Sequence, residues 1–439
     1  MIISLLLFCS FLILLYYYIL HYEKFVRHIN NIPSMPSHPL LGHTITLWLC
    51  TQENLWKLQR KLCKEYYPLY KLWLGSIAMV SVHHPDDLEK VLSNPKHHLS
   101  KGYLYDSLKP WLGTGLLISD GQKWHSRRKI LTPTFHFNIL KQFIEILIEE
   151  GNHITQSLRN VKDSTVDNLV SFVSHHTLNA ICETAMGISL ENMGEFQQQY
   201  RKVVHEMGDI LIYRIMRPWL HLDMTFALTP MGRKHAKNLK ILHGFTEKII
   251  AERKQYHERT NKQYLKHLES DVELSNTDEE IMGIKKKRSA MLDLLIAASY
   301  NNEINNSDIR EEIDTFTFEV RISLNSYLVP SGAIMQIHIF DIHRDPNFWP
   351  NPDVFDPDRF LPEKIQKRHP YSYLPFSAGS RNCIGQRFAM LEMKTVIAAL
   401  VNNFYLESVD YLKNLRFKLD MITRVTHPIR VKFVPIKHS

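Results

Sequence analysis

Residues 375–394 read PFSAGSRNCIGQRFAMLEMK, and the interpretation of the whole chain starts from this stretch. Five residues in it stand at the spacing F-x-x-G-x-R-x-C-x-G, and they are Phe376, Gly379, Arg381, Cys383 and Gly385. Glycines permit a tight loop whose backbone N–H groups can point at a cysteine sulfur. The pattern predicts a thiolate held in a fixed loop, with a cation two residues before it.

An amphipathic helix is predicted directly after this loop. Its apolar residues recur at intervals of three and four, and they are Ala389, Met393, Val396, Leu400 and Phe404. The cysteine would therefore stand just before a helix N-terminus, where the helix dipole favours an anion. A buried, inert cysteine in a chance glycine loop is the alternative, and five fixed positions satisfied together argue against it.

At these residues the chain closely resembles the cytochrome P450 superfamily. The resemblance implies a mainly α fold with small β-sheets and haem b (iron protoporphyrin IX) with the Cys383 thiolate as its axial ligand. It also implies that Arg381 meets a haem propionate, with Phe376, Gly379 and Gly385 completing the cofactor-binding loop. The implied activity is insertion of one oxygen atom from O2 into a lipophilic, fatty-acid-like or xenobiotic substrate. NADPH-cytochrome P450 reductase is the implied electron donor, with cytochrome b5 as a candidate second donor.

Two further segments carry the resemblance. In DGQKWHSRRKILTPTFHF, Trp124 and Arg128 stand one helical turn apart, and the family's matching helix contacts the haem propionates. Taken alone, the pair would be a core tryptophan beside a surface arginine, but LTPTFHF also resembles family 4 of the superfamily. HRDPNFWPNPDVFDPDRFLPE resembles the meander before the cysteine loop, where Arg359 matches one member of a structural triad.

The segment REEIDTFTFE, residues 310–319, resembles the start of the family's long distal helix. In family 4 the glutamate that matches Glu319 can form an ester with a haem methyl, and a solvated helical carboxylate is the open alternative. Asp308 and Glu311 before it look like a capping box. The residues Ile309, Ile313 and Phe316 make an apolar helical stripe that should continue.

This stripe does not continue, and the family pattern breaks between Glu319 and Val320. From Val320 to Val329 the apolar period is two, as in a strand, yet no Gly, Pro or Asn marks a helix end at the junction. Family members carry several dozen further residues here, including the acid and alcohol pair of oxygen activation and the E-x-x-R helix that partners Arg359. No catalytic residue is therefore assigned, and the fold is expected to be internally truncated.

A skipped exon, a faulty gene model or a degenerated gene would each produce such a junction. Three functions stay open for this form: a monooxygenase, a catalytically silent membrane-bound haem protein, or a non-functional product.

The first residues predict a membrane anchor. Residues 2–20 contain no charged residue, which as a helix is just long enough to cross a bilayer. A signal peptide is the alternative, but nothing basic precedes the run and no small-residue cleavage site follows it. Lys24 and Arg27 follow directly, so the positive-inside rule places the rest of the chain in the cytosol. We expect a single-pass anchor (1–21) in the endoplasmic reticulum, a proline-rich linker (22–42) and one haem domain (43–439).

Composition and local patterns fit one large globular domain. The 439 residues are 44% hydrophobic and 22% charged, with a net charge of +8 that favours acidic partners or an anionic membrane surface. Nucleic acid is excluded as a partner, because no segment alternates basic with aromatic residues. Five cysteines without a CxxC pair suggest neither a disulfide scaffold nor a zinc module. A hairpin at residues 70–82, a helix from Pro85, long helices at 139–253 and a C-terminal strand at 429–433 are predicted.

Overall fold

The computed structural model describes residue 10 and residues 23–39, 41–93, 101–190, 194–261, 290–318, 333–421 and 423–437. They form two compact units. The first lies within Met1–Gly102, Met216–Pro218 and Ser323–Asn382, and the second within Tyr103–Ile215, Trp219–Ile322 and Cys383–Ser439.

Helices dominate the described chain, as the sequence predicts. In chain order the α-helices are α1 (Thr44–Leu49), α2 (Gln52–Glu65), α3 (Pro85–Leu92), α4 (Lys109–Leu112), α5 (Gly121–Leu131), α6 (Phe137–Arg159), α7 (Leu169–Ala185), α8 (Gly194–Ile215), α9 (Asp223–Ala227), α10 (Pro230–Arg259), α11 (Met291–Tyr300), α12 (Asn306–Phe318), α13 (Ile339–Ile342), α14 (Pro362–Ile365) and α15 (Gln386–Asn403). The strands are β1 (Leu69–Leu74), β2 (Ile77–Val82), β3 (Thr165–Val166), β4 (Ile334–Ile337), β5 (Phe404–Ser408), β6 (Phe417–Lys418), β7 (Arg424–Val425) and β8 (Val431–Pro435).

The first unit is built on a three-stranded sheet in the order β1-β2-β4. β1 and β2 pair antiparallel around a two-residue turn at Gly75 and Ser76, so the predicted hairpin is confirmed. β4 adds parallel to β2, with Met79 opposite Ile334. The predicted helix at Pro85 is also confirmed, because α3 begins there with proline in its first turn.

The second unit holds the long helices and two smaller sheets. The ring of Phe143 on α6 meets the ring of Phe388 on α15 edge to face, with centroids 6.2 Å apart. The predicted C-terminal strand is confirmed as β8, which pairs antiparallel with β5 and β3. Phe404 and Phe433 from this sheet are each 2% exposed and form part of the core beneath α6.

The predicted helix after the cysteine loop is confirmed as α15, but its buried face differs from the predicted stripe. Met393, a predicted core residue, is 44% exposed, while Phe388 and Glu392 are buried. The reason is that α15 packs on α6 through the neighbouring face, where a Cβ on Gly151 would lie 3.3 Å from Ala399. Burial, with the nearby charge of Glu150, raises the pKa of Glu392 to about 7.

Within the part of the chain that the structure describes, no helix is long and apolar enough to cross a bilayer. The predicted anchor lies outside the described residues, apart from residue 10. The same holds for the predicted strand from Val320 to Val329 and for the junction before it.

Candidate functional site

The first arm of the cysteine loop belongs to the first unit and requires glycine at one position. Gly379 has φ +74°, and a Cβ on it would lie 2.0 Å from the Leu92 carbonyl oxygen. A turn follows in which the Asn382 N–H donates to the Gly379 carbonyl at 3.2 Å. Phe376 and Arg381 on this arm are half-buried. The backbone of the loop therefore runs too close to α3 for any side chain at position 379.

Gly379→Ala is expected to destabilise the protein by more than about 1 kcal/mol, since both the positive φ and the contact with Leu92 oppose a side chain. Thermal unfolding of the full chain measures the effect. Gly244→Ala is the matched control, because nothing lies within 4 Å of a Cβ there and Gly244 is inside α10. The control should keep or raise stability. A Gly379→Ala protein as stable as the control would contradict this account of the loop.

The second arm, in the second unit, carries Cys383 and Gly385. A Cβ on Gly385 would lie 3.9 Å from Cys383 Sγ and 3.8 Å from Cε1 of Phe135, which are ordinary contact distances. Gly385 has φ −84°, so, unlike Gly379, it has no conformational need to be glycine. Phe135 in turn stacks on Phe316 of α12, with centroids 5.7 Å apart and ring planes 12° apart. The thiol, the Phe135 ring and the end of α12 therefore lie close together.

Cys383 stands three residues before the first residue of α15, whose N-cap is Gly385. The cap contributes no side-chain hydrogen bond to the first turn. The N–H groups of this turn carry the positive end of the helix dipole, which favours a thiolate over a thiol. The local structure is therefore suited to holding an anionic sulfur ligand.

Other cysteines are less suited to this role. Burial raises the pKa of Cys182 to about 12, and burial next to Asp341 raises the pKa of Cys63 well above its usual value. Both thiols are therefore protonated near neutral pH in the absence of a metal. Cys50 is half-buried and lies just after α1, and Cys9 lies outside the described residues.

The predicted pair Trp124 and Arg128 lies on α5. Trp124 is 5% exposed and Arg128 is half-buried. The Thr132 hydroxyl donates to the Arg128 carbonyl at 2.6 Å, and a short 3₁₀ helix then leads to Phe135 beside Cys383. The chain thus runs directly from this helix to the cysteine loop, while the role of both side chains toward haem stays a prediction.

A charged contact between α5 and α12 was missed by the sequence analysis. Arg127, only 5% exposed, pairs with Asp308 at 2.5 Å and lies 3.5 Å from Glu312, which is fully buried. The Leu116 N–H donates to Glu312 at 2.9 Å. Burial raises the pKa of Asp308, but hydrogen bonds from the Asn305 backbone and Arg127 outweigh it and lower the pKa overall. The adjacent arginines Arg127 and Arg128 were the only signal in the sequence, and the prediction named Arg128.

The predicted capping box of Asp308 with Glu311 is wrong by three residues. Asn305 is the cap, since its side chain accepts from the Asp308 N–H at 3.0 Å while its own N–H donates to Asp308 at 3.0 Å. Glu311 instead accepts from Lys123 at 3.1 Å, because the first turn of α12 packs against α5. The predicted stripe is confirmed: Ile309, Ile313 and Phe316 are buried.

Arg359, the predicted triad member, is held by the backbone of the meander. Its guanidinium donates to the carbonyl of Asn351 at 2.7 Å and of Val354 at 3.1 Å, and also to that of Pro350. The guanidinium Nε also lies 3.8 Å from Asp356 Oδ2. Glu319, the remaining predicted site residue, lies outside the described residues.

A mainly helical fold with small sheets and a cysteine loop ahead of a helix define the class of haem-thiolate proteins. The sequence model described as "Cytochrome P450" matches residues 32–320 and 319–433. The chain belongs to the cytochrome P450 family. The heme domain of cytochrome P450DA shares the fold with a TM-score of 0.68 at 17% identity, covering 92% of this chain and 98% of that one.

The chain is also similar to named relatives. It is 33% identical to cytochrome P450 4c21 of Blattella germanica, over 93% of this chain and 94% of the relative. It is 31% identical to cytochrome P450 4V2 of Homo sapiens, over 94% and 91%. Probable cytochrome P450 4ac1 of Drosophila melanogaster is 33% identical, over 95% and 94%. These relatives identify a family 4 type of P450.

As a cytochrome P450, the protein is a monooxygenase that binds haem through a cysteine thiolate and acts with a redox partner on a small molecule. The local structure around Cys383 fits that cofactor. The thiol lies at a helix N-terminus, Gly385 adds no side chain of its own next to the sulfur, and the other arm of the loop is fixed by Gly379.

Proposed function

We propose that this chain is a family 4 haem-thiolate protein of the endoplasmic reticulum membrane that lacks its oxygen-activating segment. The observation that carries the proposal is the division of the family match at Glu319 and Val320. The alignment with the Blattella relative runs over 484 positions, more than the 439 residues of this chain. That relative therefore has residues without a counterpart here, and the break in sequence pattern supports the proposal that they belong at this junction.

An exposed apolar face on α15 supports the same proposal. Met390, Met393, Ile397 and Val401 follow one another at intervals of three and four, and they are 38%, 44%, 57% and 54% exposed. Such a stripe at helical spacing is ordinarily covered by another element. In a family member of full length, the additional helices are the candidates to cover it.

In the proposed site, Cys383 supplies the thiolate, and the first turn of α15 stabilises its charge. When bound, haem supplies the oxygen chemistry, with electron donation from the thiolate favouring O–O cleavage. Arg381, Trp124 and Arg128 would hold the propionates, and Glu319 is proposed as a further haem-binding residue. The proton-delivering acid and alcohol belong to the missing segment, so this form binds haem but turns over slowly. A catalytically silent haem protein is the second candidate function, favoured by the same break.

The proposed substrate is a fatty-acid-like molecule, and the proposed donors are NADPH-cytochrome P450 reductase and cytochrome b5. A net charge of +8 suits an acidic partner. We expect lauric acid to change the haem absorbance of the full chain in a saturable way, because a lipophilic ligand bound beside the haem would change the polarity of its surroundings. The titration needs no turnover and so tests the substrate class by itself. An absorbance that lauric acid leaves unchanged, but that a bulky xenobiotic changes, would contradict it.

We also propose a single-pass membrane anchor at residues 1–21 with the haem domain facing the cytosol. Deleting these residues should shift most of the protein from the microsomal to the soluble fraction, because the uncharged run supplies the hydrophobic attachment. Immunoblots of fractionated cells measure the shift. Protease added to sealed microsomes should degrade the domain. A domain protected until detergent is added would reverse the proposed orientation.

A further inference from the structure

A second cluster of potential ligand atoms lies in the first unit, away from the cysteine loop along the chain. Cys63 of α2, His338 just before α13, and Asp341 within α13 each offer one ligand atom, and these atoms lie within 4.8 Å of one another. Cys63 and His338 are each 4% exposed. A thiol, an imidazole and a carboxylate are thus held together out of water.

The two nitrogens of His338 face different partners. Nδ1 lies 4.0 Å from Asp341 Oδ2 and accepts from the Arg60 guanidinium at 3.5 Å, so a bound ion would take the place of that donor. Nε2 lies 3.4 Å from the Tyr70 hydroxyl, which is itself buried. An imidazole that binds a metal through one nitrogen commonly donates its other N–H to an oxygen, which fixes the ring. Tyr70 is placed to accept that hydrogen bond.

His83 is a further buried imidazole beside the cluster. It is 2% exposed, and its ring lies next to the Cys63 backbone. Its ring centroid lies 6.2 Å from that of His338 and 6.0 Å from that of Tyr70. His83 is therefore a candidate fourth ligand.

Arg60 is the basic side chain paired with the cluster. Its NH1 lies 2.8 Å from Asp341 Oδ2, and its guanidinium stacks over Trp56 at 4.2 Å. Arg60 therefore orients the Asp341 carboxylate. Its positive charge also weakens the attraction of the site for a metal ion. We expect a site of moderate affinity.

We propose that Cys63, His338 and Asp341 bind one zinc ion, with His83 or water as the fourth ligand. Mixed sulfur, nitrogen and oxygen ligands suit Zn²⁺ better than Mg²⁺ or Ca²⁺, which prefer oxygen alone. Zinc would take the proton's place on the Cys63 sulfur, and the proton leaves to solvent. The ion would join α2 to the chain that follows β4 and so stabilise the first unit.

The test is zinc retention by the full chain after equilibration with Zn²⁺ alone and gel filtration, measured by elemental analysis. Wild type should keep a single zinc ion per chain. Cys63→Ser and His338→Gln should each lose it, and Tyr70→Phe should weaken binding by about 10-fold, as lost outer hydrogen bonds do. Cys182→Ser is the matched control, since it changes another buried cysteine, and it should keep the ion.

Thermal unfolding provides the second measurement. Zinc should raise the unfolding temperature of wild type and Cys182→Ser but not of Cys63→Ser, which separates metal binding from a folding defect. Zinc that survives Cys63→Ser and His338→Gln but is lost in Cys383→Ala would place the ion at the haem loop and overturn the proposal. No retained zinc in folded wild type would overturn it as well.

Discussion

Restoring the residues that family 4 relatives carry between Glu319 and Val320 is expected to raise NADPH-dependent product formation by about 10²–10⁴-fold per haem. Positioned proton donors contribute rate enhancements of that order, and in the proposed function the acid and alcohol pair belongs to the segment that this chain lacks. The measurement is product formed from a fatty acid with a P450 reductase, comparing the 439-residue chain with the restored chain.

The matched control carries the restored segment with its acid and alcohol both replaced by alanine. This control keeps the length and packing of the segment, so it should recover haem content and thermal stability without recovering turnover. Such a result would separate proton delivery from folding. Equal turnover per haem in the 439-residue and restored chains would contradict the account, since another part of this chain would then deliver the protons.

The features predicted most accurately from the sequence are those set by residues close together in the chain. The hairpin around Gly75, the helix from Pro85, and α15 after the cysteine loop rest on turn chemistry, proline placement and local periodicity. The glycine at position 379 could also be predicted, because a cysteine loop of this length needs one. Its close approach to the Leu92 carbonyl explains in structural terms why no other residue fits.

Contacts between distant segments could not be predicted from the sequence. Arg127 and Arg128 are adjacent, and only the packing of α5 on α12 decides that Arg127 is the buried one. Met393 fits an apolar stripe, but which face of α15 is covered depends on where α6 lies. Cys63 and His338 are 275 residues apart in the chain, and the parallel pairing of β4 with β2 places them together.

Cys383→Ala is expected to abolish the thiolate-type haem spectrum completely, because no other described cysteine combines a glycine loop with a helix N-terminus. Cys63→Ala and Cys182→Ala serve as controls. Both remove a buried thiol whose pKa is raised, so they should leave the haem spectrum unchanged apart from any loss of stability. Haem extracted from each variant shows whether cofactor is retained without the thiolate.

Ligation of haem by the Cys383 thiolate is measured most directly by the difference spectrum of the reduced protein with carbon monoxide, recorded for wild type and these three variants at equal protein concentration. We expect the red-shifted band of thiolate-ligated haem in wild type, Cys63→Ala and Cys182→Ala, and its absence in Cys383→Ala. A band that persists in Cys383→Ala and disappears in Cys63→Ala or Cys182→Ala would contradict it.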